Sequence, residues 1–164
     1  MQSISASYPG EFATAEQIRL LADEYRKAAL VLQPQGCRGK PLTRAPFRLS
    51  ATHAIELYLN ALLLHLGHSS AEIRRMQHDL WVRAELAMAE GLRLRVKTAE
   101  HLECLSRTRE YLVIRYGPEL AGTASQVNRL TATLDEVASK VAIICQGPGV
   151  RRELKPIGYP SRPR

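Results

Sequence analysis

Residues 47–66 read FRLSATHAIELYLNALLLHL, and Gly67 follows. Arg48 and Glu56 are the only Lys, Arg, Asp or Glu residues in this run, and apolar side chains fall on every face of a helix wound through it. A helix that is apolar nearly all round is buried on more than one side. The spacing therefore predicts a central helix over about 46–66, closed by Gly67 in a left-handed conformation.

Working outward, apolar residues recur at helical spacing almost throughout, and no segment alternates as a strand does. A first helix starts near Thr14, where Thr14-x-x-Gln17 can form a capping box, and shows an inward stripe of Ile18, Leu21, Tyr25, Ala28 and Leu32 before Pro34 stops it. Residues 33–46 (QPQGCRGKPLTRAP) form a basic Pro/Gly-rich loop, longer than most bundle connections, and so either a crossover or a functional loop. Beyond Gly67, Ser69-x-x-Glu72 can cap a third helix with Ile73, Met76, Leu80, Ala84 and Met88 inward, and Gly91 lies near its end. A fourth helix runs from about Thr98 to Arg115 and stops at Gly117-Pro118. A last helix opens at Thr123-x-x-Gln126, and Val127, Leu130, Leu134, Val137, Val141 and Ile144 form a coiled-coil-like seam. The expected fold is all-α, an antiparallel bundle of about five helices over 14–146, with an N-terminal extension at 1–13 and a basic tail at 147–164.

Composition narrows the function classes without choosing among them. The apolar fraction of 45% and charged fraction of 24% suit an ordinary soluble domain, and a 164-residue chain can build a core with no disulfide or metal staple. Cys37, Cys104 and Cys145 form no ligand or disulfide spacing. No stretch is apolar enough to span a bilayer, and residues 1–15 lack a signal-peptide core, so the expectation is a cytoplasmic protein with no membrane partner. The net charge of +7 is concentrated at the end: Arg151, Arg152, Lys155, Arg162 and Arg164 face only Glu153 there. That tail reads either as a basic arm for nucleic acid or as a solvated extension.

No Walker loop, GxGxxG, HExxH or GxSxG motif is present, and the five histidines make no metal-ligand pair, so no cofactor and no metal are expected. His101 lies three residues before Cys104, which reads as a thiol–base pair or as a packed cysteine beside a surface histidine. The run RTREYLVIRYG at 107–117 places Arg109 and Tyr116 on one helical face, with Arg115 about 120° round from Arg109. Arginines there can grip a phosphate or form ordinary salt bridges.

Three segments together resemble the HEPN family: AIELYLNALLLHLG at 54–67, MQHDLWVRAELA at 76–87 and REYLVIRYG at 109–117. They are similar to that family's apolar helix ending in Gly, its His-Asp-Leu segment and its helix ending in Arg-Tyr. Asn60 stands where many relatives carry lysine. The resemblance implies a helical bundle that pairs as a homodimer. It further implies one of three roles: ribonuclease of a toxin–antitoxin or defence system, companion of a nucleotidyltransferase, or nucleotide-binding module. The family's ribonuclease motif, R-x4-6-H late in the bundle, has no histidine here after Arg107 or Arg109. The expectation is accordingly a non-catalytic binding or regulatory module, with nucleotide or RNA as ligand and His78, Arg109, Arg115 and Tyr116 as the binding residues. The alternative is a ribonuclease using Arg48-x4-His53 on the central helix, with Arg48 and His53 as its catalytic pair.

Overall fold

The computed structural model describes residues 7–147; residues 1–6 and the basic segment 148–164, nearly all of the tail, lie outside the described residues. Seven α-helices make up the described chain: α1 (Ala15–Leu32), α2 (Ala45–His65), α3 (Ser70–Arg75), α4 (Leu80–Ala89), α5 (Val96–Arg107), α6 (Glu110–Tyr116) and α7 (Val127–Gln146). Short 3₁₀ turns occupy Gln33–Gln35, Pro41–Arg44 and Pro118–Thr123, and no strand occurs among the described residues. The all-α class is as expected.

α2 is the centre. Its buried side chains include Phe47, Ala51, Ile55, Tyr58, Leu59, Leu62 and Leu63, and α1, α4, α6 and α7 pack around it. The apolar surface of this helix is thus largely covered within the chain. Its C-terminus is a Schellman turn: His68 N–H donates to Leu63 O (3.0 Å), Gly67 N–H donates to Leu64 O (3.1 Å), and Gly67 takes φ 100°. Both early capping boxes form, Thr14 with Gln17 and Ser69 with Glu72. Of the seam residues in α7, Leu130, Leu134, Val137 and Val141 are fully buried.

Four expectations are corrected. First, α1 is turned about one residue, or 100°: Ala22 and Ala29 meet the core while Leu21 and Tyr25 are exposed. The small alanines let α1 approach α2 closely, and Tyr58 O–H on α2 donates to Asp23 Oδ1 at 2.6 Å, which fixes that rotation.

Second, the third helix is broken into α3 and α4. Gln77 adopts φ 48°, and Asp79 Oδ1 accepts from Trp81 N–H (3.0 Å) and Val82 N–H (3.1 Å), starting a new helix. The carbonyls exposed by the break are taken by one side chain. The Arg83 guanidinium, 2% exposed, donates to Ile73 O, Met76 O, Gln77 O and Asp79 O, and its Nε–H donates to Asn60 Oδ1 at 2.7 Å.

Third, the fourth helix breaks at Arg109, which sits left-handed at φ 51° between α5 and α6. The break lets Glu110 turn inward, where it accepts from Arg48 Nη1 (3.0 Å), Ser125 N–H (2.9 Å) and Ser125 Oγ–H (3.2 Å). Fourth, Thr123 does not cap α7. Its hydroxyl donates to Leu120 O inside the 3₁₀ turn, and the N-cap is Gln126 without a side-chain bond.

Candidate functional site

The turn at Pro41–Arg44, the start of α2 and the end of α6 converge on a cleft of about 180 Å³. Pro41, Leu42, Ala45, Val113 and Ile114 give it apolar walls, and Arg48, Arg115 and Tyr116 supply the polar groups. The cleft owes its position to two sequence features. Pro41 and Pro46 start the 3₁₀ turn and α2 back to back, and Gly117-Pro118 ends α6 and turns the chain over the opening. At Gly117 an added Cβ would stand 3.3 Å from Val113 Cα, so the tight exit from α6 suits glycine.

Next to the cleft lies a half-buried polar stripe on α2. Glu56, inside an apolar helix, needs partners, and it has two: His78 Nδ1 at 3.2 Å and Arg83 Nη2 at 3.5 Å. The His78 ring lies against Tyr111 of α6, with centroids 5.3 Å apart. One turn earlier on α2, His53 meets Tyr25 edge-on at 4.5 Å, and its Nδ1 is buried without a hydrogen-bond partner. Burial pulls the His53 pKa below its ordinary value; Glu56 opposes this, while Arg115 and His78 add to it. Burial therefore favours the neutral form of the His53 ring.

The six residues singled out from sequence thus separate into groups. His53, His78 and Arg115 share one electrostatic neighbourhood, and Arg115, Tyr116 and Arg48 line the cleft. Arg109 does not line it; the residue is exposed at the left-handed junction, and the helical face it was to share with Tyr116 is interrupted there. Arg48 and His53 are not brought together within the chain. They are five residues apart on α2, about 140° round the helix, and Arg48 is held in a buried pair with Glu110. His101 is buried rather than at the surface, and its Nδ1 bonds Thr133 instead of Cys104.

Glu56, Arg83 and Tyr111 went unread as site residues. A signal for Glu56 was available, since an acid in an otherwise apolar helix must be paired. No local signal identifies Arg83, whose partners depend on the break between α3 and α4.

No family model, curated protein or solved structure matches the chain.

Proposed function

We propose that the chain is a HEPN-like helical binding module, a bundle of about five helical rods of which two are broken, that holds a nucleotide without cleaving RNA. The observation that carries this reading is the cleft itself. Its apolar walls and exposed Tyr116 suit a base, and Arg115 beside them supplies forked donors for a phosphate. Its size is below the roughly 300–1,000 Å³ of sites for drug-sized ligands, so one ring enters and the sugar and phosphate lie outside.

The non-catalytic reading is supported by the engagement of Arg48 with Glu110. A homodimer and a nucleotidyltransferase partner belong to the same proposal. The exposed Leu20, Leu21, Tyr25 and Val31 on α1 offer an apolar surface for such pairing.

Calorimetric titration of AMP and ATP tests the assignment. Arg115→Ala and Tyr116→Ala each weaken binding about tenfold or more, and Arg109→Ala leaves it unchanged. Equal affinity in wild type and both cleft variants overturns the assignment, as does metal-independent RNA cleavage that His53→Ala abolishes.

A further inference from the structure

A second group of polar residues lies on the seam between α5 and α7. The two helices run antiparallel there: Thr98 Oγ1 bonds Glu136 Oε2 at 2.5 Å, and one turn on His101 Nδ1 meets Thr133 Oγ1 at 2.7 Å. His101 is 6% exposed and Thr133 fully buried. The Thr133 hydroxyl proton has no other acceptor among the described residues, so the arrangement that satisfies both groups has Thr133 O–H donating to Nδ1. In that tautomer the ring proton is on Nε2, which is buried and has no protein partner.

His101 lines an open depression whose other walls are Lys97, Glu100 and Arg129. Neither Lys97 nor Arg129 has a carboxylate within salt-bridge distance among the described residues. Two cations and an N–H against one acid leave the depression electropositive. The ring is neutral: burial first, then Arg129 and Arg48, lower its pKa to about 4.

We propose that this depression is a phosphate site, with Lys97 and Arg129 gripping the anion and His101 Nε2–H donating from beneath. Two cations and an N–H around one depression suit a phosphate oxyanion, and the open side admits a phosphate ester as well as free phosphate. The site is independent of the nucleotide cleft. It shares no residue with it, and occupation of either one is read separately.

The test is an NMR titration of the full ¹⁵N-labelled chain with inorganic phosphate, and separately with AMP, at constant ionic strength. Inorganic phosphate shifts the His101 imidazole signals and the amides of 97–101 and 129–133 saturably. The Lys97→Ala/Arg129→Ala variant, changed only at side chains near the surface, weakens that response about tenfold or more, while Arg115→Ala leaves it alone. A response to both probes identifies a phosphate-ester site, and a response to inorganic phosphate alone a free-anion site. Unmoved His101 signals, or shifts of equal affinity in the double variant, overturn the proposal whatever happens at 113–118.

Discussion

Arg48 and Glu110 show what single residues contribute here. Both are nearly buried, at 3.0 Å from each other, and they tie the start of α2 to α6 and, through Ser125, to the approach to α7. Removing one member strands a buried charge, so Glu110→Ala costs about 3–5 kcal/mol in urea unfolding. Replacing both by apolar residues of similar volume recovers most of that loss, since the desolvation of two ions disappears with them. Titration gives a second prediction at this scale. The His101 pKa, near 4, lies below its unfolded value of about 6.5; the stability it contributes is present above pH 6.5 and is lost as the pH falls toward 4. Burial alone would raise Glu136, but hydrogen bonds from Lys140, Thr98 and the Arg95 amide overcome this and hold it at about 2. Its contribution is lost next, between about pH 4.5 and 2. Thermal melts of wild type, His101→Gln and Glu136→Gln across this range check both windows: each variant lacks the slope its residue causes. Arg48 and Glu56 were conspicuous in the sequence as charges in an apolar helix. Their partners were not, because Glu110 is 62 residues from Arg48 and His78 is 22 from Glu56.

Helical elements divide into those set by local bonds and those interrupted by distant ones. The capping boxes at Thr14 and Ser69 and the Gly67 turn were legible because every partner lies within five residues. The breaks at Gln77 and Arg109 were not, because neither carries a Gly or Pro and the apolar period runs on through both. Each break is accompanied by a buried arginine: Arg83 binds across the first, on carbonyls from Ile73 to Asp79, and Arg48 holds Glu110 just past the second. The rotation of α1 escaped reading for a related reason, since leucine and tyrosine outrank alanine in any hydrophobic count while close approach to α2 favours alanine. These causes have measurable consequences. Arg109→Gly relieves the left-handed strain of a side-chain-bearing residue and raises stability by up to about 1 kcal/mol. Asp79→Ala removes the α4 cap and costs about 0.5–2 kcal/mol. Chemical denaturation of the two variants reads both, and a destabilised Arg109→Gly would contradict the strain argument.

At the scale of the molecule, one apolar helix organises everything else. α2 buries its surface against α1, α4, α6 and α7, and its polar stripe emerges on the side where His53 and Glu56 meet His78 and Arg115. Its first turn, which carries Arg48, lines the cleft with the end of α6. With α2 covered within the chain, the proposed homodimer is assigned to the exposed apolar residues of α1. Leu21→Lys/Val31→Lys then yields a monomer by light scattering where wild type is a dimer; a monomeric wild type would contradict pairing altogether. The most direct test of the central claim is the map of amide shifts on adding AMP to the ¹⁵N-labelled chain. A nucleotide held in the cleft shifts residues 41–48 and 113–118 together and saturably, and Arg115→Ala suppresses the response. Shifts confined to other residues, or none at all, would contradict the assignment of this cleft as the ligand site.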